Sequence, residues 1–306
     1  MNKGEKIAVI YAAGDITSGK SSFGGQGEET IGSDSLVKTI EEARDDKSIK
    51  AIVLRVDSPG GSGLASDIIW RAIESAKEKK PVVVSMSDVA ASGGYYISCG
   101  ANKIVAEPST ITGSIGVVGG KPVVKGLYDW LGITNEYVLR GKNAGMFRES
   151  EKFDDSERKK IEEFLGNTYD DFITKVGKGR SRDKKDIDAI GQGRVWTGQQ
   201  GKDKGLVDEY GGLDRAIEVA KQLAKIPSGQ GIQRVILPKP PSFFEQLMSG
   251  GSGDDDSASV SAEMKQQESI LAALPQDVRH ALRYAQLLDR AKSEPIYLMP
   301  FDLRIR

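Results

Sequence analysis

The chain has 306 residues, 43 Lys and Arg against 44 Asp and Glu, a net charge of −1 and 38% apolar residues. That length supports one large domain or two small ones with a substantial core, and the balanced charge excludes a general affinity for nucleic acid or for an anionic membrane surface. A single cysteine, Cys99, excludes an intrachain disulfide, and with a single histidine it excludes a zinc site built on a Cys/His cluster.

Residues 6–12 read as a buried strand, and residues 14–32, rich in Gly and Ser, as a loop. Residues 33–44 carry apolar side chains at 36, 37, 40 and 43 behind Ser33, the pattern of an amphipathic helix with a capping serine. A strand over 51–56, a helix over 64–79 and a strand over 81–85 follow. This alternation predicts an α/β layered fold with a largely parallel sheet. Ser92 follows the third of these strands and opens a short apolar segment read as a helix, whose N-terminus favours developing negative charge. Strand patterns continue at 104–106, 116–118 and 136–139. A long helix is predicted over 154–180, with Ile161, Leu165, Tyr169, Phe172 and Val176 on one side, and shorter helices over 184–190, 197–204 and 213–224. Near Pro238 the character changes: 249–259 is a flexible acidic linker with almost nothing apolar to bury, 276–292 is helical again, and 296–306 is apolar and β-prone. The expected organisation is a catalytic domain over 1–238, a linker over 239–262 and a C-terminal extension over 263–306. No run of about 18 apolar residues is present, so the chain as written reads as soluble.

Two stretches carry the chemistry. In Val89-Ala-Ala-Ser-Gly-Gly-Tyr-Tyr96 a serine sits on a tight, small-residue turn. In Ala51-Ile-Val-Leu-Arg-Val-Asp-Ser-Pro-Gly-Gly61 an apolar run stops at glycines, whose backbone N–H groups can point at a ligand oxygen. A nucleophile with a pair of N–H donors is the minimum for acyl transfer. Ser92 is the candidate nucleophile, and Gly60, Gly61 and Gly93 are the candidate oxyanion donors. Read blandly, Ser92 is a helix-capping serine and the glycines are turn residues; Asp57 and Ser58 cap the turn, and Tyr95 and Tyr96 belong to the core. The single histidine, His280, lies far along in a different kind of sequence, so a lysine is the expected base.

These blocks, together with Pro108-Ser-Thr-Ile-Thr-Gly-Ser-Ile-Gly116 and the segment from Gly193-Arg-Val-Trp-Thr-Gly198 to Gly205-Leu-Val-Asp-Glu-Tyr-Gly-Gly-Leu-Asp214, resemble the signature blocks of the signal peptide peptidase A family, in the family's order over roughly residues 5–225. The resemblance implies a Clp/crotonase-like fold and a serine–lysine endopeptidase that cuts apolar peptides such as remnant signal peptides, with no cofactor or metal. It also implies a ring-like homo-oligomer associated with the bacterial inner membrane, and a role for Ser114 in holding the lysine amine. The strand-to-Pro-Gly-Gly element is more distantly similar to one in the Clp proteolytic subunit and the crotonases.

The lysine is where the sequence departs from the pattern. Single-domain relatives carry it in a Gly-x-x-Lys element, and here the segment is Gly141-Lys-Asn-Ala-Gly145, with Ala144 at the expected position and Lys142 two residues early. Two residues span about 6–7 Å of extended chain. Either Lys142 reaches the site through a shifted backbone, or the base comes from another domain or chain, as in double-length relatives, or this copy is inactive alone; read blandly, Lys142 is a solvated surface residue. Two rival functions follow. One is a scaffold or pseudo-peptidase subunit that needs a partner's lysine. The other is a crotonase-like acyl-CoA enzyme, disfavoured because the glycine turns carry no acidic base.

Overall fold

The apolar runs beside the two chemical stretches form the centre of one parallel sheet. The computed structural model describes residues 4–22, 29–238 and 296–298. Strands β1 (Glu5–Ala13), β4 (Ile49–Ser58) and β6 (Val82–Ala91) lie side by side, with β7 (Lys103–Ala106) and β10 (Glu209–Tyr210) beyond β6 and β11 (Ile232–Leu237) beyond β1. All five of these pairings are parallel. The strands read as continuous apolar runs because both faces are covered. Alternate residues Ile7, Val9, Ala51, Val53 and Val83 pack on Ala216, Ile217 and Ala220 of helix α8 (Leu213–Leu223). Their neighbours Ala8, Ile10, Ile52, Leu54 and Val84 belong to a second cluster. That cluster takes in Leu36 and Ile40 of α1 (Ser33–Asp45), Ile69 and Ile73 of α2 (Gly63–Lys79), Tyr95 and Tyr96 of α3 (Gly93–Ser98), and Phe172 and Val176 of α5 (Asp155–Arg180). This is the layered, mostly parallel α/β fold that the alternation of strand and helix predicts.

Four local expectations are corrected. The Gly- and Ser-rich segment 14–32 contains two short strands, β2 (Asp15–Thr17) and β3 (Thr30–Gly32), each contributing one buried isoleucine, Ile16 and Ile31. They join β5 (Gly60–Ser62) and β12 (Ile296–Leu298) in a second sheet of order β12-β5-β2-β3. Ser33 is not a cap: Gly32 occupies that position, and the Ser33 hydroxyl accepts the Gly19 N–H instead, tying down the loop. The strand expected at 116–118 lies earlier, as β8 (Ile111–Gly113), paired with the end of β6 and with β9 (Val195–Thr197). Residues 136–139 form no strand; they are exposed, and among the described residues no strand pairs with them.

The remaining helices match their patterns. Asp154 and Glu157 form a capping box at the start of α5, and α6 (Lys184–Ile190) and α7 (Gly198–Asp203) follow. Helix α4 (Lys125–Leu131), which the periodicity does not reveal, buries no residue. Among the described residues no helix is long and apolar enough to cross a membrane. The helix expected over 276–292 and the acidic linker lie outside the described residues, whereas the β-prone C-terminus does supply β12.

Candidate active site

Ser92 stands at the corner where β6 ends and α3 begins, with φ 52° and ψ −114°. A residue with a Cβ at positive φ carries a cost of about 1–3 kcal/mol, and such strain persists only where the surroundings impose it. Here they do. The Ser92 N–H donates to Gly113 O at 2.9 Å, and Ser92 O accepts the Tyr96 N–H at 2.8 Å. Ser92 occupies the N-cap position of α3, yet its side chain makes no capping hydrogen bond. The residue is fully buried, and among the described residues Oγ has no hydrogen-bond partner. The capping explanation for this serine therefore fails. A buried hydroxyl without a partner is a destabilising feature in a folded chain and calls for an explanation in function.

The glycines after Ser92 are demanded by packing. A Cβ on Gly94 would sit 2.5 Å from Ser58 O, and one on Gly93 would sit 3.0 Å from Gly60 Cα and 3.2 Å from Gly61 N. The start of α3 thus rests directly on the β4–β5 turn, which brings Gly93 against Gly60 and Gly61. Gly60 (φ 115°) gives its N–H to the buried Ser58 Oγ at 3.1 Å. That bond removes Gly60 from the candidate donors and leaves Gly61 and Gly93; the Gly93 N–H opens α3, where the first turn has no acceptor within the helix. Asp57 Oδ1 accepts the Val89 N–H at 3.2 Å, so Asp57 and Ser58 brace the turn as expected. Gly61 (φ 148°) is also fixed by contact, since a Cβ there would fall 2.1 Å from Ile16 O on β2.

Helix α3 is clamped by its tyrosines, both in the core. Tyr95 OH donates to Leu206 O at 3.0 Å, and Tyr96 OH donates to Asp67 Oδ1 at 2.9 Å, with Lys175 Nζ 2.8 Å from the same oxygen. Burial pushes the Asp67 carboxyl up, but hydrogen bonds from Lys175, Arg71 and Tyr96 outweigh it and hold the group below the usual carboxylate range.

Ser114 is buried at φ 48°, next to the Gly113 carbonyl that holds Ser92. Its own N–H donates to Arg194 O at 2.7 Å, and Gly193 N–H donates to Ile115 O at 2.8 Å. The late segment 193–198 thus buttresses the Ser92–Ser114 corner through β9, a role that its composition does not disclose. Lys142 is exposed, in the turn after Gly141, and does not hydrogen-bond to Ser92 Oγ. Lys121 Nζ is buried and among the described residues has no hydrogen-bond partner; it lies 4.5 Å from the centre of the Phe153 ring, and burial lowers its pKa.

The profile of peptidase family S49 matches residues 74–227, which contain the strained serine and its buttress. The chain belongs to this family. Three relatives are proteases by name. The chain is 41% identical over 247 residues to the chloroplastic serine protease SPPA of Arabidopsis thaliana, covering 80% of this chain and 36% of that one. It is 42% identical over 224 residues to Protease 4 of Salmonella typhi, covering 73% and 35%. It is 31% identical over 234 residues to a candidate protease of Methanocaldococcus jannaschii, covering 75% and 74%. The family member described here therefore spans little more than a third of the first two relatives and most of the third.

Proposed function

We propose that this S49 chain is the serine-bearing part of a signal-peptide-peptidase-type endopeptidase. Ser92 Oγ attacks the scissile carbonyl, a lysine amine takes its proton, and the N–H groups of Gly61 and Gly93 receive the developing oxyanion. Losing one such donor costs about 2.7–4 kcal/mol of transition-state stabilisation. The lysine comes from another domain or another chain. The observation that carries this reading is Ser92 itself, fully buried, strained and with its hydroxyl unpartnered. A nucleophile awaiting its base has this signature, and a structural serine does not.

Association with a partner has independent support. Trp130 is 79% exposed and Val138 fully so, on an arm that also exposes Leu127, Leu131, Ile133 and Leu139. Exposed apolar side chains gathered along one short segment favour an interaction surface. Membrane association and a substrate class of apolar, extended peptides follow the family. A peptidyl phosphonate tests the nucleophile: mass spectrometry is expected to find the adduct on Ser92, and none in Ser92→Ala. An adduct that persists in Ser92→Ala overturns the assignment.

A further inference from the structure

Among the described residues five that are not glycine stand at positive φ, and three of them lie on one path: Ser92 (52°), Ser114 (48°) and Gln192 (56°). Each has its N–H held. Ser92 donates to Gly113 O and Ser114 to Arg194 O, whereas Gln192 donates to the Tyr169 hydroxyl at 2.9 Å. The first two belong to the serine corner. Gln192 is exposed, on the turn that follows α6. Strain of this kind persists only where the surroundings impose it, and here the group that imposes it is Tyr169.

Tyr169, on α5, is fixed in direction. Its hydroxyl accepts the Gln192 N–H and donates to Asp188 Oδ1 at 2.7 Å. Burial, and then the hydrogen bond to Asp188, push its pKa up to about 12, so the phenol keeps the proton that it donates. The turn closes on this oxygen, since a Cβ on Gly191 would fall 2.7 Å from it. The other side of the same turn meets the corner. Gly193 N–H reaches Ile115 O at 2.8 Å, and Arg194 O receives the Ser114 N–H at 2.7 Å. A Cβ on Gly116 would lie 2.8 Å from Gly193 Cα. Ser114 follows Gly113, whose carbonyl holds Ser92. An unbroken run of hydrogen bonds and chain thus leads from Asp188 through Tyr169 to Ser92.

We propose that Tyr169, oriented by Asp188, is a positioning residue for the serine corner: it sets the turn 191–194, which sets Ser114 and, through Gly113, the Ser92 backbone. The inference rests on the peptidase reading of Ser92. Tyr169 acts through the turn and not on the substrate. A displacement of about 1 Å at a reacting group, caused from a distance, costs about 100-fold in rate. Loss of the hydroxyl leaves the Gln192 N–H to solvent and frees the turn, while the ring keeps its packing against the core.

Four variants of the full chain are compared with wild type. Tyr169→Phe removes the hydroxyl and keeps the ring. Asp188→Ala removes the acceptor that orients it, in case the phenylalanine protein fails to fold. Asp188→Asn keeps an acceptor oxygen and is the rescue. Ile187→Val, buried on α6, lowers stability without touching the turn. The readouts are the saturation kinetics of Ser92 modification by a peptidyl phosphonate and hydrogen exchange at the Ser114 amide. Tyr169→Phe and Asp188→Ala are expected to lower the maximal modification rate about tenfold or more, with the half-saturating concentration unchanged, and to accelerate exchange at Ser114. Asp188→Asn and Ile187→Val are expected to stay near wild type. Equal maximal rates in wild type, Tyr169→Phe and Asp188→Ala overturn the inference. An equal fall in Ile187→Val also overturns it, because the effect is then one of stability alone. The failures are separable. If Ser92 stays unmodified in every protein while Ser114 exchanges faster only in Tyr169→Phe and Asp188→Ala, the relay stands and the peptidase reading falls. If Ser92 is modified at one rate throughout, the peptidase reading stands and the relay falls.

Discussion

Ser92 is costly to keep. It combines a φ of 52° with a buried, unpartnered hydroxyl, and each feature carries a penalty of about 1–3 kcal/mol. Removing the hydroxyl relieves one of them, so Ser92→Ala is expected to raise the urea midpoint. Ser92→Gly relieves both, because glycine tolerates positive φ, and it is expected to exceed Ser92→Ala in stability by about 1 kcal/mol. A lower midpoint for both variants means that Ser92 is an ordinary structural serine. Gly61 behaves in the opposite way. Its missing Cβ leaves room for Ile16 O at 2.1 Å, so Gly61→Ala is expected to lose stability and activity together, by more than about 1 kcal/mol of stability. Unchanged stability with lost activity points to donation alone. The sequence disclosed the residue types of this corner but not their division of labour: glycines 93 and 94 are fixed by contacts with β4 and β5, strands distant in sequence, and Gly60 is lost as a donor to a hydroxyl only two residues away.

At the level of elements, the corner depends on what holds α3 and β7. Asp208 accepts the Ile104 N–H at 2.8 Å and pairs with Arg180 at 2.6 Å, and Arg180 is only 7% exposed. Burial pushes the Asp208 carboxyl up, but Arg180, the Ile104 N–H and Lys103 outweigh it and leave its pKa below the ordinary 3.8. Because the folded value is the lower one, the contribution of Asp208 is complete well above pH 3.8 and is lost as the pH falls below 3.8 toward the folded value. Asp208→Ala strands the buried guanidinium and is expected to cost about 3 kcal/mol in urea unfolding at neutral pH; a cost near zero contradicts the clamp. Cys99, at the C-terminal end of α3, reports on the same element, since burial pushes its thiol up to about 12. An aromatic disulfide reagent at pH 8 is expected to leave native Cys99 unmodified and to react along the unfolding transition; rapid reaction of the native chain contradicts a tightly packed α3. Most of these elements were legible in the sequence because their apolar spacing is strong over 7–17 residues, as in α2 and α6. The three-residue strands β2, β3 and β8 were not, since pairing with distant partners, and no local pattern, defines them.

At the scale of the whole molecule, the parallel sheet, the corner at its edge and the late buttress form one unit around Ser92, and among the described residues no side chain hydrogen-bonds to its Oγ. Ala144 and Lys142 both lie exposed in the turn after Gly141, on the same side of α5 in sequence as the arm that exposes Trp130. The four sequence blocks identified the family because each holds the same corner: two form it, one carries Gly113 and Ser114, and one braces them. The absence of a lysine at position 144 was equally legible, whereas the exposure of Lys142 needed the fold. The central claim is that Ser92 is a nucleophile completed by a base other than this chain's Lys142. Its most direct measurement is the rate of phosphonate modification at Ser92, read by mass spectrometry for wild type, Lys142→Ala and Ser92→Ala. Wild type and Lys142→Ala are expected to be modified at the same rate and at the same residue, and Ser92→Ala not at all. A fall in Lys142→Ala to the level of Ser92→Ala contradicts the account and makes the chain a self-contained dyad.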